Sequence, residues 1–159
     1  FPAFTMAPCN LRPRSRGAVH ATSPDVAVAP TIDPNYLSDP YDRDVAARAL
    51  RLTRHIVAQE PLRRYAPVEY MPGLNFESDE NLANAAGQVG STIFHPVGTA
   101  RMGQDPGAVV DERLRVRGLE GLRVVDASVM PTITSGNTNA PVMVIAEKGA
   151  ALALKDAGL

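Results

Sequence analysis

The stretch FHPVGTARMG, residues 94–103, carries the most information about the fold and function of this chain. Two further stretches belong with it: LRVVDASVMPT, residues 122–132, and SGNTNAP, residues 135–141. The proline that follows His95 pushes the histidine backbone towards extended or polyproline geometry, which fixes the backbone from which the imidazole projects. Histidine can exchange protons near neutral pH, so His95 is a candidate for proton transfer. Taken alone, a histidine in a loop rich in glycine and proline is more often structural, and this motif leaves both interpretations open.

The second and third stretches combine a strand pattern with a polar turn. Residues 122–125 are rich in β-branched side chains and predict a short strand that ends at Asp126. A carboxylate at the end of a strand can hold a ligand hydroxyl or cap the next turn. Asn137 and Asn139 precede an apolar helix and could cap it. The free N–H groups and positive dipole at such a helix start also suit a partly anionic ligand, so capping and binding both stay open.

Length and composition indicate one globular domain or a large piece of one. The chain has 159 residues and a net charge of −1, which gives no electrostatic reason to expect nucleic acid. A single cysteine, Cys9, excludes an internal disulfide and predicts no metal site. No apolar run approaches the ~20 residues of a membrane-spanning helix and no signal segment is recognisable, so the expected location is cytoplasmic or peripheral to the inner membrane.

The spacing of apolar residues predicts helices over residues 42–59, 79–89 and 140–156. Ser78 is a candidate cap for the second helix, and Pro61 is expected to end the first. Residues 62–76 are expected to be irregular. One short strand is predicted within residues 16–21, and three more are predicted at residues 109–111, 114–116 and 122–125. The predicted fold class is therefore α+β, an antiparallel sheet with flanking helices.

The three stretches together closely resemble the carboxy-terminal signature of the glucose–methanol–choline (GMC) family of flavin alcohol oxidoreductases. The resemblance is to its choline dehydrogenase-like and aryl-alcohol branches. It includes the helix segment AEKGA, residues 146–150. Two upstream stretches, LRPRSRG at 11–17 and IDPNYL at 32–37, resemble the substrate domain of that family, so the resemblance covers nearly the whole chain.

The resemblance implies a division of the chain between two domains. Residues 1–104 would form the later part of a substrate domain with the active-site histidine loop. Residues 105–159 would return to the FAD-binding domain and supply its last strand and helix. The ADP half of a flavin normally needs G-x-G-x-x-G between a strand and a helix, and this spacing does not occur in the sequence. The chain is therefore expected to be the carboxy-terminal part of a longer protein, without the N-terminal dinucleotide-binding region.

The resemblance also implies a reaction, the oxidation of a primary alcohol to an aldehyde by hydride transfer to FAD. His95 matches the active-site histidine of the family and would accept or share the hydroxyl proton. Asn137 matches a second active-site position, where an asparagine can hold and orient the alcohol but cannot act as a base. The implied cofactor contacts are two residues of a turn and two at a helix start: Asp126, Ala127, Thr138 and Asn139. The expected partners are a small primary alcohol and the missing FAD-binding region, and the chain alone is expected to be inactive and prone to self-association.

Two other classes of function compete with this interpretation. One is a non-catalytic binding module that retains the fold of a family without its chemistry. The other is a hydrolase, because Cys9, His95 and Asn137 occur in the chain order of papain-like thiol proteases. Cys9 lacks the flanking residues of that family, which argues against a hydrolase.

Overall fold

A computed structural model describes all 159 residues, and the chain divides into two compact units, residues 1–91 and 92–159. The first unit contains a two-stranded sheet and three helices, and the second contains irregular segments and one long helix. The division at residues 104 and 105 that the resemblance implies refers to the domains of whole family members, and it stays a prediction.

The sheet of the first unit is a pair of short antiparallel strands. Strand β1, Ala18–His20, lies where the sequence predicts one, whereas strand β2, Thr31–Asp33, has no counterpart among the predicted strands. Val19 pairs with Ile32 at the centre of the register. The predicted class, α+β with an antiparallel sheet and flanking helices, is confirmed.

Helix α1, Pro40–Val57, begins and ends two residues before the predicted bounds. Asp39 is its cap, because the carboxylate accepts a 2.8 Å hydrogen bond from the N–H of Tyr41 and Pro40 occupies the first helical position. The sequence prediction missed helix α2, Glu60–Arg63, which forms one turn. Pro61 does not simply end a helix here, since proline is equally suited to the first turn of a new one.

Helix α3, Asp79–Val89, has the predicted bounds, and Ser78 caps it by accepting a 3.2 Å hydrogen bond from the N–H of Asn81. Helices α1 and α3 pack against each other, and their contact is fully buried at Ala47, Leu82 and Ala85. Small residues at this contact let the two backbones approach closely, so the core of the first unit consists of few but tightly packed side chains.

Asp42 ties the first loop of the chain to helix α1. This buried carboxylate accepts hydrogen bonds from the N–H groups of Arg14 and Ser15 and from the Ser15 hydroxyl, at 2.5 to 3.0 Å. The side-chain amide of Asn10 adds a fourth donor at 3.0 Å. Every oxygen of the buried carboxylate is thereby satisfied, which is the condition for burying a charge at an acceptable cost.

The second unit contains none of the three strands predicted for residues 109–125. Residue pairs form isolated bridges instead: Met102 with Val110, Val110 with Val116, and Arg115 with Arg123. The physical reason is the frequency of turns, since Leu114, Gly118 and Gly121 all have positive φ. A chain that reverses every few residues cannot extend a ladder beyond single pairs.

Helix α4, Asn139–Asp156, begins one residue before its predicted start and ends at the predicted residue. The core beside it consists of buried Val110, Leu114 and Val129, with partly buried neighbours that include Val125 and Ile145. Gly149 is the buried residue of the helix, and its missing side chain leaves room for Val125. None of the helices is long and apolar enough to cross a membrane.

Candidate functional site

The two sequence stretches that hold the candidate residues run side by side in the second unit. The N–H of Ala100 donates to the carbonyl of Ser128 at 3.1 Å, and the N–H of Met102 donates to that of Val129 at 2.8 Å. Gly98 has φ of 92°, a conformation that favours glycine. The loop with His95 is therefore fastened by its backbone to the segment that follows Asp126.

His95 reaches across from this loop to the start of helix α4. Its Nδ1 lies 2.9 Å from the hydroxyl oxygen of Thr138, 43 residues further along the chain. His95 is half-buried and Thr138 is buried. The contact occupies one ring nitrogen in the protein interior, so only Nε2 remains to meet another group.

Thr138, rather than either asparagine, occupies the cap position of helix α4. Its carbonyl accepts the first helical hydrogen bond, from the N–H of Val142 at 3.0 Å. No side chain caps the helix, so of the two roles that the sequence left open for Asn137 and Asn139, capping is not observed. The backbone of Thr138 is already helical, with φ of −90° and ψ of −6°, whereas a residue that caps a helix through its side chain normally has an extended backbone.

Asn137 is exposed and directly precedes the residue that contacts His95. The ring of His95 bonds to Thr138 and not to the Asn137 amide. The structure thus brings the two predicted catalytic residues to the same end of helix α4, while their convergence on one substrate stays a prediction. Thr138 itself has a side-chain contact that the sequence interpretation did not foresee, because only tertiary structure can reveal a contact over 43 residues.

Asp126 caps the turn that follows it. Its carboxylate accepts hydrogen bonds from the N–H and the hydroxyl of Ser128, at 2.8 and 2.5 Å. Residues Ala127–Val129 form one turn of 3₁₀ helix behind this cap. Of the two roles that the sequence left open for Asp126, capping is the one observed, and contact of Asp126 and Ala127 with a cofactor stays a prediction.

The start of helix α4 offers hydrogen-bond donors that the chain does not use. The N–H groups of Asn139 and Ala140 have no acceptor in the protein, and Pro141 has no N–H. A helix start of this kind attracts an acceptor with partial negative charge, both through its N–H groups and through the helix dipole. The donors of helix α4 therefore fit a ligand carbonyl or anion in this place.

The chain brings together no group of three histidine, cysteine, aspartate or glutamate side chains that could hold a metal ion. Cys9 is exposed, and its thiol has a single partner, the neighbouring carbonyl of Asn10 at 3.8 Å. No base within hydrogen-bond distance would activate that thiol, so its surroundings lend no support to a cysteine hydrolase.

The family model described as GMC oxidoreductase matches residues 13–146. The chain is 42% identical over 152 residues to an alcohol dehydrogenase [acceptor] of Pseudomonas putida, covering 96% of this chain and 28% of that protein. It is 47% identical over 139 residues to an oxygen-dependent choline dehydrogenase of Chromohalobacter salexigens, covering 87% of this chain and 25% of that protein.

Among solved structures, an FAD-dependent oxidoreductase from Chaetomium thermophilum superposes with a TM-score of 0.86 at 34% sequence identity. The match covers 94% of this chain and 26% of that one. The chain thus spans 25% to 28% of the length of these relatives.

Proposed function

This chain belongs to the GMC oxidoreductase family, and from that premise we propose that it supplies active-site residues for oxidation of a primary alcohol to an aldehyde by an FAD-containing enzyme. The relatives named above are oxidoreductases that act as alcohol dehydrogenase or choline dehydrogenase. The proposal adds to the family assignment a substrate class, a cofactor and a role for each residue.

The observation that carries the proposal is the 2.9 Å contact between His95 and Thr138. It joins the histidine loop to the one helix start in the second unit with unused N–H donors. Hydride abstraction from an alcohol requires two things of a protein. One is an acceptor for the hydroxyl proton, and the other is a set of hydrogen-bond donors for a group that becomes partly anionic.

His95 would take the hydroxyl proton of the alcohol at Nε2, because Nδ1 is occupied. Asn137 would hold the alcohol oxygen by a hydrogen bond from its amide and so orient the reacting carbon. The Asn137 side chain is exposed, so a substrate can reach its amide.

FAD, when bound, would accept the hydride and carry the redox chemistry. The N–H groups at the start of helix α4, at Thr138 and Asn139, would face the carbonyl side of the flavin, where negative charge develops. Asp126 and Ala127 would contact it from the neighbouring turn. Of these two, the N–H of Asn139 is one of the donors that have no acceptor in the protein, and this supports its contact with such a cofactor.

The partners in this proposal are a small primary alcohol and a dinucleotide-binding region with the G-x-G-x-x-G motif, which this chain does not contain. The outer side of helix α4 exposes Met143, Val144 and Leu154, each more than half accessible to solvent. An apolar surface of this kind would favour association of the chain with itself when that region is not present.

The experiment replaces the matching 28% of the Pseudomonas putida alcohol dehydrogenase with this chain and compares the chimaera with its His95→Ala variant. We expect turnover to fall ~10²–10⁴-fold while bound FAD per protein stays the same, because positioned proton transfer contributes that much. His55→Ala is the matched control, since His55 is exposed on helix α1. Near-normal alcohol oxidation by the His95→Ala chimaera would remove His95 from the mechanism.

The alternative of a binding module without catalysis makes a different prediction for the same chimaera. It would bind FAD and yet fail to oxidise any of a panel of primary alcohols, even with His95 and Asn137 intact. The two candidates are therefore separated by the activity of the unmodified chimaera.

A further inference from the structure

Residues 1–9 are a part of the first unit in which the backbone has no partner. None of them takes part in a backbone–backbone hydrogen bond or in a bridge to a strand. They contain no helix, turn or bend, so this part of the chain runs on without reversing. Residues 3–7, between Pro2 and Pro8, all keep an N–H group that could donate to another strand. Residues 3–7 are the unpaired segment.

Side chains hold this part of the chain in place although its backbone is free. The ring of Phe1 lies 5.7 Å from that of Tyr70. Beyond the segment, the side-chain amide of Asn10 donates to buried Asp42 at 3.0 Å. Residues 6–8 line an apolar cleft together with helix α1. One side of the unpaired segment thus lies on a helix, as a strand does in a two-layer domain, while the edges of its backbone stay open.

The unpaired segment lacks the features that normally protect an edge strand. Edge strands that stay in solvent usually carry charged side chains, or a proline within the strand, that prevent pairing. Residues 3–7 contain neither. Their two large side chains, Phe4 and Met6, are 55% and 37% accessible to solvent, and they alternate with alanine and threonine. This is the period of a strand with one apolar face, so the segment is suited to pairing.

The two-stranded sheet of the same unit is incomplete as well. Every residue of strands β1 and β2 is exposed, and Val19 and Ile32 at the centre of the register are 44% and 66% accessible to solvent. A two-stranded sheet is marginally stable in water unless further strands or a helix cover it. The β-structure of the first unit would therefore gain stability from additional strands.

We propose that residues 3–7 are a strand of a larger sheet, and that the neighbouring strand comes from the region of the longer relatives that lies outside this chain. The chain spans 25% to 28% of the length of those relatives, so most of each relative lies outside the matched part. A strand added to an open edge supplies main-chain hydrogen bonds, and side chains at alternate positions add contacts. The pairing depends on membership of the family and on none of the catalytic roles proposed above.

The test is hydrogen–deuterium exchange of the amides of residues 3–7, measured by mass spectrometry. In the 159-residue chain alone we expect fast exchange, because no backbone acceptor protects these N–H groups. In the chimaera with the Pseudomonas putida alcohol dehydrogenase we expect exchange to be slower by ~10²-fold or more, because paired amides exchange only when the strand opens. Equally fast exchange in both proteins would overturn the proposal.

Two results with the chain alone would overturn the choice of partner. Slow exchange at every protein concentration would place the hydrogen-bond acceptors within the chain. Slow exchange that develops only as the concentration is raised would assign the open edge to a second copy of the chain. The corresponding stretch of the unmodified Pseudomonas enzyme gives a measurement that does not require the chimaera to fold, and fast exchange there would also refute the strand.

Proline substitutions test whether the backbone is the cause of the protection. Consecutive N–H groups of a strand point to opposite edges, so either Phe4 or Thr5 must donate to the neighbouring strand, whichever edge it occupies. We expect Phe4→Pro or Thr5→Pro to return the other amides of the segment to fast exchange in the chimaera. Phe4→Ala and Thr5→Ala are the matched controls, because they keep the N–H group. Protection that survives both proline substitutions would refute pairing through the backbone.

Failure of this pairing can be told from failure of the proposed function. Slow exchange at residues 3–7 together with full alcohol oxidation by the His95→Ala chimaera would keep the strand and remove the catalytic role of His95. Fast exchange at residues 3–7 in a chimaera whose activity depends on His95 would do the reverse.

Discussion

Gly149 of helix α4 lies directly against Val125, the residue before the Asp126 turn. A Cβ atom on Gly149 would stand 2.4 Å from Val125 Cγ1 and 3.2 Å from Cγ2. Real atoms do not approach so closely, so a side chain at position 149 would force Val125 or the helix to shift. The contact links the placement of helix α4, and of Thr138 at its start, to the segment that carries the candidate cofactor residues.

The first prediction is that Gly149→Ala destabilises the chain. Alanine has the better helix propensity by about 1 kcal/mol, but forcing a methyl group into a filled space costs about 1–3 kcal/mol, and a contact this short lies at the upper end. The measurement is urea unfolding of the chain. Gly136→Ala is the control, because nothing lies within 4 Å of its added methyl group.

A second variant tests the reason for that loss. Adding Val125→Ala to Gly149→Ala removes the methyl groups that the new side chain meets, so the two changes together should cost less than the sum of the single changes. Purely additive effects would contradict the steric explanation.

The second prediction concerns Asp42, whose carboxylate holds the first loop of the chain against helix α1. Asp42→Asn replaces one acceptor oxygen by a donor, which leaves N–H groups of Arg14 or Ser15 without a partner. We expect a loss of about 1–3 kcal/mol in unfolding free energy. Asp44→Asn is the matched control on the same helix, since its exposed ion pair with Arg48 contributes at most about 1 kcal/mol.

Asp42 also gives the third prediction, a dependence of stability on acid pH. Burial by itself raises the pKa of Asp42, but the hydrogen bonds from Ser15, Arg14 and Asn10 together outweigh it, and the pKa lies below the ordinary value of 3.8. A lowered pKa means that the stabilisation is complete above pH 3.8 and is lost as the pH falls from there through the folded-state pKa. Unfolding followed from pH 6 downwards should show this loss, and Asp42→Asn should show a smaller one. Equal acid sensitivity in both proteins would contradict this role of Asp42.

The fourth prediction separates the roles of Asn137 and His95 in the chimaeric enzyme. Because an asparagine cannot exchange a proton near neutral pH, Asn137→Ala should lower kcat/KM without changing the shape of its pH profile. His95→Ala should instead remove the limb of the profile that reports the base. Asn137 is exposed, so its removal should leave the melting temperature unchanged. A change in the shape of the pH profile of Asn137→Ala would contradict this prediction, because it would show that Asn137 influences the group that transfers the proton.

The fifth prediction concerns the chain by itself. With no G-x-G-x-x-G turn in the sequence, the contacts that normally hold the ADP half of FAD are lacking, and the donors of helix α4 could meet only the flavin end. We expect no stoichiometric flavin after incubation with excess FAD and gel filtration, as judged by absorbance, and no reduction by primary alcohols. Bound flavin that an alcohol reduces would show that the chain is sufficient for the activity.

Local chemistry was enough to predict the three longer helices, but not the single turn of helix α2. The Ser78 cap and the apolar spacing after it define helix α3 to the residue. Helix α1 differs from prediction by two residues at each terminus, and helix α4 by one residue at its start. These features could be predicted because a helix is stabilised by partners three or four residues away, which are present in any short window of sequence. For the same reason, the motifs alone sufficed to identify the family.

Only the tertiary structure decided how those elements meet. The strands predicted over 109–125 are reduced to single bridges, because pairing depends on the turns between the segments and not on the β-branched residues within them. The hydroxyl of Thr138 turns to His95 and not to its own helix, and Gly149 is required by a side chain 24 positions away. Sequence by itself determined the motifs and the position of the three longer helices. Contacts between distant segments, which depend on the packing of the whole unit, determined what His95 touches.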